Sequence, residues 1–225
     1  LAASAVRTTI HAGEPGVNLP ATRARIESAW GARAFDHAGA TEVGAWGFEC
    51  QEQAGLHLNE GEFICEIIDP KSGAAADEGE LVITNLGRHG MPVLRYRTGD
   101  QALIERAPCA CGRSFYRLRG GVIGRVDDAL IIRGIVVYPS SIENVVRQFP
   151  EVVEFAVDIY RRRALDELEL RAELNTGADG DMVEQLAQAL SHHLGLRADV
   201  KIVAGGSLPR FELKARRFTD HRSTA

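Results

Sequence analysis

A glycine-rich stretch, Arg119-Gly120-Gly121-Val122-Ile123-Gly124-Arg125, divides this chain of 225 residues into two parts with different patterns of hydrophobicity. Before it, short apolar segments alternate with turn residues, which is typical of β structure. After it, strand-like segments alternate with amphipathic helical ones. Three glycines within five residues also predict a flexible joint, whose backbone torsions change between two states of the protein.

The first part is predicted to be mostly β with one clear helix. The helix is expected over 20–30, where Ile26 and Trp30 fall on one face. The other apolar segments predict short strands, with turns between them rich in Gly, Pro, Asp and Ser. These strands are expected at 6–10, 34–37, 46–50, 57–58, 63–68, 80–85, 93–96 and 101–105.

The second part is predicted to be a small α+β sandwich of about 95 residues with a βαββαβ-like order. A helix is expected from Pro139 to near Pro150, and a second one over 181–194 that stops at Gly195. The inward residues of the second helix are expected to be Val183, Leu186, Ala187, Leu190 and Leu194. The predicted strands are 130–133, 136–138, the hairpin pair 152–160 and 167–174, and 199–203 as the last clear one.

Composition excludes several classes of protein. The net charge is −5, so a nucleic-acid partner is not expected, and no apolar run reaches the ~18 residues that a membrane span needs. The four cysteines form no disulfide-framework pattern, which favours a reducing cytoplasm. The chain opens on Leu1 and quickly enters a β-rich run, so we expect the C-terminal portion of a longer polypeptide; processing of the N-terminus is the alternative.

Two short segments carry carboxylates suited to nucleotide chemistry. Thr41-Glu42 follows a strand and a loop at Gly39. A threonine hydroxyl can donate to a phosphate oxygen, and glutamate is a hard oxygen ligand for Mg²⁺. Asp100 follows Tyr96-Arg97-Thr98-Gly99, and a carboxylate at a strand end can accept both ribose hydroxyls. Taken singly, each segment is equally compatible with an ordinary surface turn.

Lys214 lies in Leu208-Pro209-Arg210-Phe211-Glu212-Leu213-Lys214-Ala215-Arg216-Arg217, just after the Gly205-Gly206 turn. A lysine is a point-charge phosphate binder on a long stem, so it can meet negative charge that develops on an α-phosphate. The alternative is a solvated basic tail, since several arginines surround it.

Cysteine and histidine spacing suggests a structural metal site. Cys109-Ala110-Cys111-Gly112 is a knuckle-like pair, and Cys50 and His57 offer two more ligands. Three thiolates and one imidazole make a closed tetrahedral zinc site. Reduced thiols buried in the core are the alternative. Cys65 lies in an apolar alternating strand and is expected to be plain core.

In combination, these motifs resemble the adenylate-forming superfamily of acyl-CoA synthetases, and specifically the phenylacetate–CoA ligase family. The resemblance covers nearly the whole chain, and the Gly-Arg-x-Asp-Asp run is particularly close. The carrying residues are Gly13-Glu14-Pro15, Ala38-Gly39-Ala40-Thr41-Glu42, Tyr96 to Asp100, Gly124-Arg125-Val126-Asp127-Asp128, Ile131-Ile132-Arg133-Gly134, Pro139, and Leu208-Pro209-Arg210 with Lys214.

The resemblance implies a fold: the β-rich remainder of a large N-terminal domain over 1–124, then a small mobile lid over 125–225 with a hinge at Asp127. It also implies ATP and AMP as ligands, with Mg²⁺, coenzyme A and a structural Zn²⁺. Lys214, Thr41 and Glu42 would be catalytic. The nucleotide would be bound by Gly13, Glu14, Pro15, His37, Ala38, Gly39, Thr41, Asp100, Arg125 and Lys214, while Glu42 would hold Mg²⁺ and Cys50, His57, Cys109 and Cys111 would hold zinc.

The chain departs from the family pattern at three points. The Ser/Thr/Gly-rich phosphate loop is not present in these residues and is expected upstream, in the same polypeptide or in a separate chain. His37-Ala38 stands where an aromatic residue is usual before the Gly-x-Thr-Glu motif. Phe211-Glu212-Leu213 precedes the lysine, where a small residue and glycine are common.

The predicted function is therefore an AMP-forming acid–CoA ligase that needs its N-terminal part and acts on a small carboxylic acid. Two alternatives stay open: a non-catalytic, zinc-stabilised remnant that serves as an interaction module, and an adenylating enzyme with an acceptor other than coenzyme A. A homodimer is compatible with this interpretation, and neither nucleic acid nor membrane is expected as a partner.

Overall fold

A computed structural model describes residues 1–13, 16–162, 165–175, 181–210 and 217–222 of the chain. The predicted site residues Glu14, Pro15 and Lys214 lie outside these ranges. The chain forms two compact units, Leu1–Asp128 and Ala129–Ala225. We expected a boundary after residue 124. Residues 125–128 instead group with the first unit, in which the Val126 amide donates to the Gly99 carbonyl.

In the part of the first unit that the structure describes, the chain forms a sheet of eight strands and one helix. The helix has Pro20 in its first turn, where a missing amide proton costs nothing, and ends at Gly31 in the left-handed conformation. Its elements are β1 (Thr8–His11), α1 (Pro20–Trp30), β2 (Arg33–Ala40), β3 (Gly44–Glu49), β4 (Leu56–Leu58), β5 (Phe63–Ile68), β6 (Glu78–Asn85), β7 (Val93–Glu105) and β8 (Arg117–Arg125).

The eight strands lie in the order β1-β2-β3-β4-β8-β7-β6-β5. The β1–β2 pair is parallel, and the other neighbours are antiparallel. Their inward side chains form one core, in which Trp46, Leu81, Ile83 and Leu118 are almost completely buried. The apolar alternation that predicted strands here is therefore the packing of one sheet face.

The glycine-rich stretch is not a flexible joint, and that prediction was wrong. Residues 117–125 form β8, which lies inside the sheet between β4 and β7. Gly120 and Gly121 have φ values of 73° and 69°, so glycine is needed for the backbone conformation of an ordered strand. The two strands predicted at 93–96 and 101–105 are likewise one strand, β7, with shifts in its pairing register.

The described residues of the second unit form two helices and a sheet of four strands. The strand order is β13-β12-β11-β14, and the β9–β10 hairpin forms a separate two-stranded sheet. Phe155 and Leu170 of the sheet, Ile142 of the first helix and Leu186 of the second belong to one buried core. The elements are β9 (Leu130–Ile132), β10 (Ile135–Val137), α2 (Pro139–Val146), β11 (Val152–Arg162), β12 (Leu165–Leu174), α3 (Met182–Leu194), β13 (Ala198–Val203) and β14 (Phe218–Asp220).

The α+β class is confirmed, with mixed sheets and few helices. The β11–β12 hairpin is present, and Gly195 caps α3 in the left-handed conformation. Two details differ from the prediction. Val183 is 39% exposed, since Met182 rather than Val183 faces the core. The sheet also contains β14, which pairs in parallel with β11. The strand that was predicted to come first in the βαββαβ order is β10, which pairs with β9 instead of joining this sheet.

Across the described ranges, none of the helices has both the length and the apolar character required to cross a bilayer.

Candidate metal centre and nucleotide-binding residues

Four side chains from distant parts of the first unit meet at one point. The ligand atoms of Cys50, His57, Cys109 and Cys111 all lie within 4.8 Å of one another. The sulfur atoms of Cys50 and Cys109 are 3.7 Å apart, and Nε2 of His57 is 3.5 Å from the sulfur of Cys111. This is the one set of three or more such ligand groups found among the residues described, and it contains the four predicted zinc ligands.

The sheet brings the four residues together. Cys50 follows β3 directly, and His57 lies on β4, where it pairs with Phe48 of β3. Cys109 and Cys111 come from the loop between β7 and β8, and β8 is the other neighbour of β4. The tight turn of this loop is closed by the Gly112 amide, which donates to the Cys109 carbonyl at 3.0 Å.

The orientation of His57 is fixed by its surroundings. Its ring is completely buried, stacks on Phe48 and has Nδ1 3.2 Å from the carbonyl oxygen of Phe115. A carbonyl can only accept, so Nδ1 carries the proton and Nε2 has a free lone pair. Nε2 is also the nitrogen that faces the cysteines, as in metal-bound histidines whose second nitrogen donates to a carbonyl.

The thiols differ in their readiness to ionise. Burial raises the pKa of Cys50 to about 11. The pKa of Cys111 is lowered to about 6, chiefly by the hydrogen bond from the backbone amide of Arg113 and also by the Arg113 side chain. Three thiolates this close together would repel one another, so a bound cation would be needed to keep all three sulfurs deprotonated.

The donor set fits a zinc ion. Tetrahedral zinc–sulfur bonds of about 2.3 Å separate two sulfurs by about 3.8 Å, and the Cys50–Cys109 separation is 3.7 Å. Four protein ligands would complete the coordination, so the arrangement has no open position for a substrate and is suited to a structural role. Cys65 lies on β5, outside the set, and burial raises its pKa to about 12.

The second candidate region is at the β7–β8 pair, where Asp100 stands opposite Arg125. The carboxylate of Asp100 is 3.7 Å from Nη1 of Arg125. Arg125 also donates to both carboxylate oxygens of Asp127, at 2.9 and 3.2 Å, and to the Thr98 carbonyl. These bonds lower the pKa of Asp127. Arg125 thus links the predicted ribose ligand to the predicted hinge residue.

The backbone around Asp100 is held by β6. Buried Glu80 accepts from the Arg97 side chain and from the Gly99 amide, and Thr98 donates its hydroxyl proton to the Leu81 carbonyl. The Asp100 amide in turn donates to the Thr98 hydroxyl. The Tyr-Arg-Thr-Gly-Asp motif is therefore a strand segment with a defined shape, and its carboxylate is 25% exposed.

Thr41 and Glu42 lie in the turn between β2 and β3, and both are exposed. The turn is attached to the far end of β6, because Asn85 donates to the Val43 carbonyl and Arg88 to the Glu42 carbonyl. The backbone of Gly39, just before the turn, lies very close to β3, since a β-carbon there would be 3.0 Å from the Gly44 carbonyl oxygen.

The two predicted nucleotide segments are connected through β6. Leu81 holds the segment of Asp100, and Asn85 holds the turn of Glu42, so the two attachment points are about 14 Å apart at roughly 3.4 Å per residue. The first unit has two cavities, of about 410 and 240 Å³, and neither is lined by Thr41, Glu42 or Asp100. The convergence of these residues on one nucleotide stays a prediction.

The other predicted nucleotide contacts are spread over β1 and β2. His37, Ala38 and Gly39 are part of β2 rather than of a loop. His37 lines the 240 Å³ cavity together with residues of β1 and β3. Gly13 lies after β1 with a φ of 90° and is exposed. Glu14, Pro15 and Lys214 are outside the described residues.

Sequence reasoning missed several groups that shape these regions. Arg113 and the Phe115 carbonyl act on the cysteines and on His57, yet neither has a recognisable spacing signal. Asp36 lies beside the 410 Å³ cavity, and burial raises its pKa to about 6. The outward-facing glutamates of β11 and β12 were detectable in principle, since acidic residues alternate with apolar ones along both strands.

The fold matches that of the adenylate-forming acid–CoA ligases: a solved 2-hydroxyisobutyryl-CoA ligase with R3-HIB-AMP is 32% identical, with a TM-score of 0.86 over 97% of this chain and 49% of that chain. The model of the family described as "AMP-binding enzyme C-terminal domain" matches residues 134–222. Phenylacetate-coenzyme A ligase from Thermus thermophilus is 33% identical, over 90% of this chain and 51% of the relative. The enzyme of the same name from Escherichia coli is 34% identical, over 97% of this chain and 52% of the relative.

This chain belongs to the phenylacetate–CoA ligase family of the adenylate-forming superfamily. It spans about half the length of the curated relatives that it matches. A solved structure of 2-hydroxyisobutyryl-CoA ligase in complex with 2-HIB-AMP is 31% identical, with a TM-score of 0.87 over 97% of this chain and 49% of that chain. The same ligase in complex with 2-HIB-AMP and CoA is 31% identical, with a TM-score of 0.54 over 96% of this chain and 48% of that chain.

Proposed function

We propose that this chain is the C-terminal part of an ATP-dependent acid–CoA ligase. The enzyme would convert a small carboxylic acid to its acyl adenylate and then to the acyl-CoA thioester. The observation that carries the proposal is the likeness, over almost the whole chain, to a ligase solved with an acyl adenylate and with CoA. The arrangement of Asp100, Arg125 and Asp127 supports it, since a partly exposed carboxylate held by an arginine can accept ribose hydroxyls.

In the first half-reaction, a substrate carboxylate oxygen attacks the α-phosphorus of ATP. The new bond is acyl oxygen to phosphorus, and the bond to pyrophosphate breaks. Asp100 would hold the ribose, and the Thr41 hydroxyl would donate to an α-phosphate oxygen. Lys214 would neutralise the charge that develops on that phosphate. Most of the rate would come from positioning and charge neutralisation rather than from covalent chemistry by the protein.

In the second half-reaction, the thiolate of coenzyme A attacks the acyl carbon, and AMP leaves with the electron pair of the broken carbon–oxygen bond. One constellation of side chains cannot be complementary to both transition states. We therefore propose that the backbone at Asp127 changes its torsions between the two steps, as hinge residues at element ends do.

The two metals have separate roles in this proposal. Glu42 is the carboxylate expected to ligate Mg²⁺, with phosphate oxygens and water as the other ligands, as is usual for this ion. Its exposed position on the β2–β3 turn allows such sharing with a nucleotide. Cys50, His57, Cys109 and Cys111 would hold Zn²⁺, which would join the β3–β4 segment to the β7–β8 loop and supply no chemistry to the reaction.

The test uses the longest natural form of the enzyme. Pyrophosphate release from ATP is measured over a panel of carboxylic acids, including phenylacetate, other aryl acids and small branched or hydroxy acids. AMP release is then followed with and without coenzyme A. We expect acid-dependent pyrophosphate release and thiol-dependent AMP release for at least one acid.

Lys214→Ala should abolish most acyl-AMP formation and largely spare thioester formation from supplied acyl-AMP, because only the first step makes and breaks bonds at the α-phosphorus. Lys71→Ala is the control, since Lys71 is an exposed lysine on a turn of the first unit. An equal loss of both steps in Lys214→Ala would contradict the assigned role. Absence of pyrophosphate release with every acid would favour a non-catalytic module, and AMP release to another acceptor would favour a different transferase.

A further inference from the structure

On its outward face, the sheet of the second unit carries four acidic residues that are almost completely buried. Glu154 and Asp158 lie on β11, and Glu169 and Glu173 lie on β12. Their residues are only 7%, 4%, 6% and 1% exposed, respectively. Acidic groups this deeply buried must be paired with cations or amide donors, since an unpaired buried charge is strongly destabilising.

Glu173 holds the chain on the N-terminal side of residues 211–216. It accepts from the backbone amides of Gly206, at 3.0 Å, and of Leu208, at 2.6 Å. It also forms a two-pronged ion pair with Arg210. The Arg210 guanidinium, followed by the two amides, lowers the pKa of Glu173 to about 2. Every donor in this set comes from the five residues 206–210.

Glu154 holds the chain on the other side of the same segment. It accepts from Nε of Arg217 at 2.7 Å and from Nη2 at 3.4 Å. Arg217 lies 3.6 Å from a second carboxylate, that of Glu143 on α2, and its guanidinium is positioned over the ring of Phe155. Arg217 is therefore fixed by charge, hydrogen bonding and cation–π contact at once.

The two anchors are cross-strand neighbours. Glu154 pairs with Glu173 in the register of β11 and β12. Side chains that stand directly opposite each other in an antiparallel pair have β-carbons about 5 Å apart, and like charges there repel. Arg210 and Arg217 relieve that repulsion, so each glutamate needs its arginine. Arg210 and Arg217, which flank residues 211–216 in the sequence, are therefore held at neighbouring points of the sheet.

We propose that Glu154 and Glu173 are positioning residues for adenylation. They would act by fixing both ends of the segment 211–216, to which Lys214 belongs, on adjacent strands. This inference rests on the proposed function for its effect on the reaction, although the anchoring itself does not depend on it.

The physical advantage lies in preorganisation. Bringing the two ends of a segment together has an entropic cost. Because the two ion pairs form when the protein folds, this conformational entropy is lost during folding and does not add to the free energy of activation. A catalytic group displaced by as little as 1 Å can lose about a hundredfold in rate. Loss of an anchor should therefore affect the step that needs Lys214 more than the step that does not.

The test compares Glu154→Gln, Glu173→Gln and the double variant in the longest natural form of the enzyme. Glutamine keeps the size of the side chain and removes the charge. We expect each single change to lower the rate of acid-dependent pyrophosphate release roughly tenfold or more, while thioester formation from supplied acyl-AMP changes less than twofold. The double variant should lose less than the product of the two single effects, because both anchors act on one segment.

Glu169→Gln is the matched control. Glu169 is equally buried on the same face and pairs with Lys201 at 2.7 Å, away from both ends of the segment. The melting temperature of every variant is measured alongside. If Glu173→Gln does not fold, Arg210→Lys replaces it, since lysine keeps the charge but cannot form the two-pronged pair.

Limited trypsin digestion separates this inference from the proposed function. Cleavage after Lys214 should be faster in Glu154→Gln and Glu173→Gln than in wild type or Glu169→Gln, whether or not the enzyme adenylates any acid. Unchanged cleavage in the folded variants would overturn the anchoring. Faster cleavage together with adenylation rates that match Glu169→Gln in an active enzyme would overturn the catalytic role.

Discussion

Gly99 lies so close to the guanidinium of Arg125 that there is no room for a side chain at position 99. A β-carbon on Gly99 would lie 2.5 Å from Nη2 of Arg125, and the φ of Gly99 is 75°. The absence of a β-carbon leaves room for the guanidinium, which donates to the Thr98 carbonyl and to the Asp127 carboxylate. The glycine of the Thr-Gly-Asp motif is thus required by the side chain on the neighbouring strand as well as by its own backbone.

We predict that Gly99→Ala weakens ATP binding by about tenfold, because the new methyl group displaces Arg125 and with it the ordering of Asp100. Gly120→Ala is the control. Gly120 has a φ of 73° and would place its β-carbon in open space. Both substitutions should cost about 1–2 kcal/mol of stability for a left-handed backbone. Calorimetric ATP titration and melting temperatures check this, and equal ATP affinity in the two variants would rule it out.

We predict about one zinc ion per chain, with Cys50, His57, Cys109 and Cys111 as ligands. Cys109→Ser and Cys111→Ser should each lose most of the metal and lower the melting temperature by about 5 °C or more, since metal binding is coupled to folding. Elemental analysis and thermal melts with and without a chelator provide the measurement. Cys65→Ser should retain the metal, and equal zinc content in all three variants would exclude the assigned ligands.

Asp36 gives the protein a predicted pH dependence. Its pKa is raised from 3.8 to about 6, mainly by burial and to a smaller extent by the neighbouring Glu49, against a lowering by the hydrogen bond from the His37 amide. A folded-state pKa above the unfolded value contributes stability that is complete below about pH 3.8 and is lost as the pH rises through 6. Asparagine, which is neutral at every pH, avoids that loss.

Asp36→Asn should therefore raise the melting temperature relative to wild type at pH 7.5 by a few degrees. The advantage should shrink as the pH falls towards 4, where the wild-type carboxyl is protonated. Thermal melts at several pH values measure the difference between the two proteins. A difference that is independent of pH would show that ionisation of Asp36 does not matter to the fold.

The hinge role of Asp127 is tested by two substitutions at one position. Asp127→Pro should leave one half-reaction close to its normal rate and slow the other by at least about tenfold, because proline fixes φ near −65°. Asp127→Ala removes the same carboxylate and its bond to Arg125 but leaves the backbone free. Partial-reaction kinetics of both variants decide the matter, and identical behaviour of the two would assign the effect to the carboxylate.

The sequence was most informative where a signal is local. The helix over 20–30 is present with those bounds, since a proline in its first turn and a terminal glycine mark both ends. Strand alternation located most strands for the same reason. The glycine-rich stretch was misread, because a local pattern of glycines does not distinguish a joint from a strand that hydrogen-bonds on both sides.

The sequence by itself determined the element types, the α+β class and, through ordered motifs, the family. Only the tertiary structure decided which side chains meet. Cys50 and Cys109 are distant in sequence, and Glu154 faces Glu173 because of the register of one hairpin. Such contacts depend on sheet order and register, which arise from the packing of the whole core and leave no mark in the spacing of the residues.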